Sequence, residues 1–332
     1  MSSKNCPKRV DPHQSCISLR LSFVQFYRIA SITLSVPSSV KEDVLKYRKV
    51  LIYPRIWCKM VELYDALHEL RNIPEPPERI ISLSPAVTEI LFELGLGDKI
   101  IGISAFCARP PETKNIRKIG SYGSVRPELL EELKPDLIVM VSGYQNEFAK
   151  NLSKKSPVYV FELPSSVGGI LDLVSKVGVV TNKMDEARYL NFELSKYLGS
   201  MRRHMSIRGY IEIDLAEPVT FGALSYITDA LSMLGVKTLY RNIYKEWISP
   251  NFNDVVEYDP EVIFYEAKMY SSFNEENFRR LIDARGWQKL SAAKNESIFL
   301  APGKLDFFAH HGPSFIRQVI PWAMERLDLV GL

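Results

Sequence analysis

Several side chains that can line a ligand cleft stand beside predicted loops, each after a predicted strand or before a predicted helix. Aromatic rings supply flat apolar walls, and a stacked pair adds about 1 kcal/mol beyond the burial of its area. The candidates are Ser84, Pro85, Phe106, Tyr122 and Tyr144 in the first half of the chain, and Ser225, Tyr226, Trp247 and Phe307–His311 in the second. For any single aromatic, a half-buried surface position is the alternative. The set predicts a binding cleft with aromatic walls.

Two adjacent histidines, His310 and His311, follow the last predicted strand. A neutral imidazole can make an axial contact to a bound metal, and an exposed or helix-capping role is the alternative. Arg109 and Lys268 could pair with an anionic ligand or a phosphate, and ordinary solvation is the alternative for both. The sequence does not decide which histidine points inward.

Signatures of catalysis are missing. The chain contains no GxSxG, HExxH, P-loop or GxGxxG pattern. Glu89 and Asp229 lie early in predicted helices, which indicates solvated or capping groups rather than a catalytic pair. We therefore predict that the chain is not an enzyme and uses no catalytic cofactor.

Composition excludes further classes. The 332 residues are 46% hydrophobic and 24% charged, with a formal net charge of +3, so charge alone does not favour nucleic acid. The four cysteines form no CxxC pair and no zinc-type spacing with histidine, which predicts neither a disulfide framework nor a structural metal; they are Cys6, Cys16, Cys58 and Cys107.

No membrane span is predicted, because no run of about 18 apolar residues occurs. Leu19–Val36 is the best candidate for an export signal, but Arg28 interrupts it and no small-residue cleavage site follows. The residues before Cys16 do not form a lipid-attachment signal. The compartment stays open on this evidence.

Strands and helices alternate from residue 79 onward, which predicts parallel sheets with helices on both faces. The alternation breaks at Asn182–His204, where no Gly or Pro occurs and apolar residues keep helical spacing. The predicted fold class is α/β, with two Rossmann-like lobes joined by a single long α-helix. The predicted units are an N-terminal extension (1–75), a first lobe (76–181), a linker helix (182–205) and a second lobe (206–332). Residues before Met60 lack a regular period, and translation from Met60 is one hypothesis.

An internal similarity supports two lobes. Glu128–Val139 and Asn253–Phe264 each contain a helix, a proline beside an acidic residue, and then an apolar strand. The two segments lie on either side of the predicted long helix, which favours two similar units joined by a strut.

The sequence resembles the helix-linked periplasmic binding proteins for vitamin B12, iron-siderophores and haem, most closely the B12-binding members. The resemblance rests on Arg79–Leu91, Ile101–Ser104, Ile119–Gly123 and Pro127–Val139, and extends over residues 79–332. It implies a ligand between two lobes with little hinge motion, and the bottom-up prediction agrees, because ligands of open α/β sheets lie beyond the carboxyl ends of the strands.

The resemblance also implies specific roles. Tyr122 and Trp247 match positions where B12-binding relatives place ligand-contacting aromatics, and Tyr226 or His310 could serve as an axial ligand as in haem-binding relatives. Family members present one glutamate from each lobe to the permease. Glu128 matches the first of these positions, but the second holds Asn253 with Asp254 beside it, which puts symmetric docking in doubt.

The implied function is that of the substrate-binding protein of an ABC importer, a monomer of the cell envelope that binds a cobalamin-like corrinoid, a ferric siderophore or haem. Its partners would be the permease and ATPase subunits. A cytosolic protein that binds a corrinoid or another metal chelate is the alternative. The cellular location of the protein would distinguish it from an importer component. An enzyme on the same two lobes is a third, which turnover of the bound chelate would reveal.

Overall fold

The computed structural model describes residues 59–199, 201 and 206–331. The candidate export segment, the hypothesis of a start at Met60 and three of the four cysteines concern residues outside these ranges; the fourth, Cys107, is a buried free thiol. None of the helices in the described ranges has the length and apolar character needed to cross a bilayer.

The described chain opens with an antiparallel hairpin of β1 (Lys59–Tyr64) and β2 (Leu70–Glu75). These residues fall within the extension (1–75) that the sequence predicts before the first lobe. The hairpin is attached to that lobe, because Tyr159 donates its hydroxyl proton to the backbone oxygen of Tyr64 at 3.0 Å. The first lobe thus begins with the hairpin rather than at residue 76.

The first lobe contains a parallel sheet of five strands: β3 (Ile80–Ser82), β4 (Ile100–Ser104), β5 (Lys118–Gly120), β6 (Leu137–Val141) and β7 (Val158–Phe161). Their order across the sheet is β5-β4-β3-β6-β7. Its helices are α1 (Pro85–Glu93), α2 (Pro127–Leu133) and α3 (Asn146–Leu152). Every residue of β3, β6 and β7 is buried, as expected for strands that helices cover on both faces.

Two consecutive helices follow β7, namely α4 (Val167–Val180) and α5 (Met184–Gly199). The helix predicted over Asn182–His204 is α5, which begins later and ends at Gly199 within the described residues. Asn182 separates the two helices with a positive φ of 57°, a conformation that asparagine tolerates. Helix α4 contacts α1 of the first lobe and also the first helix of the second lobe, so the link between the lobes starts one helix before the predicted boundary.

The second lobe has a mixed sheet of β8 (Ile207–Asp214), β9 (Pro218–Phe221), β10 (Val236–Thr238), β11 (Trp247–Ile248), β12 (Val262–Glu266) and β13 (Ile298–Leu300). The main path is β11-β9-β8-β12-β13, with β10 paired to β8. β10, β8, β12 and β13 run parallel, whereas β9 and β11 are antiparallel additions that the sequence did not predict. Its helices are α6 (Tyr226–Met233), α7 (Phe252–Tyr258), α8 (Glu275–Ala284), α9 (Ser291–Lys294) and α10 (Ile320–Leu329).

The internal similarity is present at the level of hydrogen bonds. In the first lobe, the carboxylate of Asp136 accepts from the amide of Arg79 at 3.0 Å. In the second lobe, the carboxylate of Glu261 accepts from the amide of Arg208 at 2.9 Å. Each acid follows a proline and precedes a central strand, and each arginine lies at the start of the neighbouring strand, Arg79 just before β3 and Arg208 as the second residue of β8. The two lobes are therefore built on the same local plan.

One hydrophobic core runs through both lobes. A single cluster of buried side chains includes Ile90 of α1, Val174 of α4, Ile227 of α6 and Phe315 near the start of the final helix. Because apolar packing continues across the junction, opening the lobes would expose part of this core to water. The core supports the limited hinge motion that the resemblance implied.

Candidate functional site

The carboxyl ends of the strands position most of the predicted site residues. Phe106 follows β4, Tyr122 follows β5 and Tyr144 follows β6, while Asp306–His311 lies in the loop after β13. Ligands of open α/β sheets bind at this edge. A separate cavity of about 190 Å³ lies at the amino ends of β6 and β7, away from these residues.

An aromatic patch forms where the lobes meet, and we define it as Tyr122, Tyr144 and Trp247. The rings of Tyr122 and Tyr144 lie 6.1 Å apart between centroids. Trp247 belongs to the second lobe, but the residue before it, Glu246, reaches the first: its Oε2 lies 4.0 Å from the position of a Cβ on Gly143. Tyr144 is 69% exposed and Trp247 is 40% exposed, so both rings offer free area to a ligand.

Other predicted residues lie outside this patch. Ser84 and Pro85 are buried, and Ser84 caps α1 by accepting from the amide of Val87 at 3.4 Å. Their role in the structure is to start a helix, not to offer surface to a ligand. Phe106 is half-exposed, and no ring pairing joins it to the patch among the described residues.

Four charged side chains form a network between the lobes, which we define as Arg109, Asp306, His310 and Glu89. His310 donates from Nε2 to Glu89 Oε2 at 2.7 Å, and its Nδ1 lies 3.5 Å from Asp306 Oδ2. Arg109 donates from Nη1 to Asp306 Oδ1 at 2.6 Å. Glu89 and Arg109 belong to the first lobe and the other two to the second, so opposite charges alternate across the junction.

The backbone around Ser314 completes this network. The amide and the hydroxyl of Ser314 each donate to Glu89 at 3.1 Å. A Cβ on Gly312 would lie 2.3 Å from Glu89 Oε2, so only glycine permits this close approach. Glu89 is 7% exposed and His310 is 2% exposed, so the two side chains form a buried ion pair.

Burial and neighbouring charges shift the pKa values in the network. Burial alone would lower the pKa of His310, but the charges of Glu89 and Asp306 raise it to about 9, so His310 is protonated at neutral pH. Burial would raise the pKa of Glu89, yet His310 and Ser314 hold it below its usual value. For His311, burial and the positive charge of His310 lower the pKa to about 3, so this ring is neutral.

These contacts occupy the groups predicted to meet a metal or an anion. Both ring nitrogens of His310 face carboxylates, and Arg109 is paired with Asp306. Tyr226 is buried and donates its hydroxyl proton to the backbone oxygen of Phe308 at 2.8 Å. His311 packs against the ring of Tyr226 with 6.0 Å between centroids. Both histidines are buried, and the exposure or capping alternative is wrong.

The interpretation of Glu89 as a solvated or capping group is also wrong, since its carboxylate lies in the buried network. Asp229 is a capping group as predicted, because it accepts from the amide of Val167 at the start of α4 at 2.8 Å. Lys268 is exposed. No group of three or more potential metal-ligating side chains occurs within the described ranges.

The predicted docking residues differ between the lobes. Glu128 lies exposed in the first turn of α2, and Asn253 lies exposed in the first turn of α7. Asp254 is engaged locally, accepting from Tyr240 at 3.2 Å and from the side chain of Asn251 at 2.8 Å. The second lobe therefore has no free carboxylate at the position that corresponds to Glu128.

Glu246 and Asp306 were not among the residues predicted from the sequence to belong to the site. Asp306 stands four residues before His310, a spacing that could have indicated a local charge pair. Glu246 had no signal beyond its position beside Trp247.

Comparison with known proteins decides the family. The sequence profile described as periplasmic binding protein matches residues 80–305 of this chain. The chain belongs to the periplasmic binding protein family.

Relatives in this family share modest identity. A vitamin B12-binding protein of Vibrio parahaemolyticus is 25% identical over 214 residues, covering 62% of this chain and 76% of the relative. An uncharacterized ABC transporter substrate-binding lipoprotein of Bacillus subtilis is 22% identical over 295 residues, covering 85% and 88%. The structure of a periplasmic haem-binding protein from Roseiflexus has a TM-score of 0.63 at 18% identity, covering 76% of this chain and 99% of that one. The two-lobe α/β fold is thus that of periplasmic binding proteins.

Proposed function

We propose that the chain is the substrate-binding component of an ABC importer, and that it carries a corrinoid to a membrane permease and its ATPase subunits. The aromatic patch carries this proposal. The rings of Tyr122 and Tyr144 lie 6.1 Å apart in the first lobe, and Trp247 of the second lobe follows Glu246, whose carboxylate approaches Gly143 beside Tyr144. Tyr144 and Trp247 are both exposed. Family membership and the similarity to a vitamin B12-binding protein support it.

The charge network favours a corrinoid over haem. Haem iron is held in proteins by an axial side chain such as His or Tyr. His310 is committed to Glu89 and Asp306, and Tyr226 is buried with its hydroxyl bonded to the backbone. The cobalt of a corrinoid already carries its own axial groups. A corrinoid can therefore stack on the patch without an axial side chain from the protein.

The proposed role is binding and release without chemistry, by a monomer at the cell envelope. The two lobes would hold the ligand at the strand ends, and the exposed helix starts would meet the permease. A cytosolic chelate-binding protein would have the same cleft, so localisation of the native protein distinguishes these two roles.

Ligand-induced stabilisation tests the proposal. A ligand that binds only the folded state at one hundred times its dissociation constant adds about 2.7 kcal/mol. With 332 residues the entropy of unfolding is about 0.7 kcal/mol/K, so this stabilisation raises the melting temperature by about 4 °C. We expect this increase with cobinamide or cobalamin but not with haem or a ferric hydroxamate, measured by differential scanning calorimetry on the full chain. A shift with the hydroxamate alone would reassign the ligand.

Reversing the charge at Glu128 is expected to reduce import without changing ligand affinity. Glu128→Arg should lower corrinoid uptake in the native host about tenfold, equivalent to about 1.4 kcal/mol, because an attractive charge pair at the docking surface becomes a repulsive one. Asn253→Glu should maintain or increase uptake by restoring a second carboxylate.

The control for this prediction is Glu257→Arg. Glu257 is exposed at the end of α7, and β12 begins shortly afterwards, so it lies at the sheet edge opposite the strand ends. Equal loss of uptake in Glu128→Arg and Glu257→Arg would count against a docking role for Glu128.

A further inference from the structure

Glu246 places a carboxylate at the seam between the lobes. Its Oε2 lies 4.0 Å from the position of a Cβ on Gly143, which follows β6 and precedes Tyr144. Glu246 itself precedes Trp247, and its side chain is half-buried. The carboxylate therefore stands among the aromatic rings that would contact a ligand.

Nothing in the described part of the chain neutralises this charge. Glu246 forms no ion pair there, and Arg109 of the first lobe is paired with Asp306. The titratable groups that face it are Tyr122 of the first lobe and Tyr226 of α6. Burial raises the pKa of both tyrosines above the usual value, and the negative charge of Glu246 adds to this, so both stay neutral.

A lone carboxylate at a binding surface discriminates between ligands by charge. It accepts hydrogen bonds from amide N–H groups, and it repels carboxylates because like charges placed together are unfavourable. The rim of a cobinamide ring carries neutral amides. The rim of cobyrinic acid, which has the same ring, carries carboxylates instead.

We infer that Glu246 is a specificity-determining residue that selects neutral, amide-bearing chelates and rejects polyanionic ones; this inference rests on the proposed function. Burial raises the pKa of Glu246 to about 7, although a hydrogen bond with Trp247 opposes the shift. The carboxyl is protonated below that pH and charged above it, so the discrimination strengthens as pH rises through 7.

Binding of the two corrinoids to the full chain tests this inference. We compare dicyanocobinamide with dicyanocobyrinic acid by calorimetric titration near pH 6 and pH 8, on the wild type and on Glu246→Gln. At the higher pH the wild type should prefer cobinamide, and Glu246→Gln should reduce that preference about tenfold. The preference of the wild type should also fall at the lower pH, whereas that of Glu246→Gln should change little.

Glu257→Gln is the matched control, an exposed glutamate of the same lobe at the opposite sheet edge, and it should keep the wild-type preference. A preference that differs by less than about twofold between wild type and Glu246→Gln would overturn the inference while leaving corrinoid binding intact. Failure of the wild type to bind cobinamide would overturn the proposed function. The inference would then stand only if Glu246→Gln bound cobyrinic acid and the wild type did not. If none of the three proteins bound either compound, both would fall.

Discussion

Replacing Glu89 with alanine is expected to lower the free energy of unfolding by about 3–5 kcal/mol, because it leaves a buried protonated histidine without its partner. Glu89 accepts hydrogen bonds from His310 and from the amide and hydroxyl of Ser314, and all three donors would lose their acceptor. The measurement is equilibrium unfolding in urea near pH 6.5, where His310 is charged.

The control for Glu89→Ala is Glu93→Ala, one turn later on the same helix. Glu93 pairs with Arg317 in a partly exposed ion pair, and such pairs contribute about 0–1 kcal/mol. A loss below about 1 kcal/mol for Glu89→Ala would show that the buried network does not join the lobes.

The same network predicts the sign of the pH dependence. The folded pKa of His310 is about 9, above its ordinary 6.5, so its contribution is fully present below pH 6.5 and is lost as pH rises through 9. The folded pKa of His311 is about 3, so its contribution is present above pH 6.5 and is lost as pH falls toward 3. These two residues together favour greatest stability near pH 6.5, and His310→Gln should remove the alkaline decline that His310 causes.

Replacing Trp247 with alanine is expected to weaken corrinoid binding about thirtyfold, equivalent to about 2 kcal/mol, because a tryptophan at the centre of an interface is often a hot spot. Trp247 is 40% exposed at the seam and is the only member of the patch from the second lobe. Its removal should therefore lose one wall of the cleft. Calorimetric titration measures this without relying on tryptophan fluorescence.

Two variants serve as controls for the loss of affinity expected in Trp247→Ala. Trp247→Phe keeps an aromatic wall and should bind within about threefold of the wild type. Tyr244→Ala removes a ring that is 84% exposed in the loop that precedes β11, and it should leave affinity unchanged. Equal affinity in Trp247→Ala and wild type would exclude Trp247 from the ligand surface.

Much of the fold followed from local signals. The strands Leu137–Val141 and Val158–Phe161 coincide with apolar runs in the sequence. Ser84 and Pro85 stand at the start of α1, as expected because a capping serine before a proline is a strong helix-start signal. The hairpin at residues 59–75 was missed, since its exposed strand faces give no clear alternation.

The site was predictable only in part. Strand ends identify which loops can meet at a cleft, and Tyr122 and Tyr144, predicted as ligand contacts, do lie ring to ring in the first lobe. Their contact with a ligand, like that of Trp247, remains a prediction. The roles of Arg109 and His310 depend on partners 197 and 221 residues away in the chain, Asp306 and Glu89. Local sequence carries no information about such distant pairs, so both residues were predicted as free to meet a ligand.

The most direct test of the account is a calorimetric titration of the full chain with dicyanocobinamide. The account predicts one saturable site with a dissociation constant of about 1 μM or tighter, equivalent to about −8 kcal/mol or better. Absence of saturable heat with cobinamide, cobalamin, haem and a ferric hydroxamate would contradict it, leaving the two-lobe fold intact and the aromatic patch without its proposed ligand.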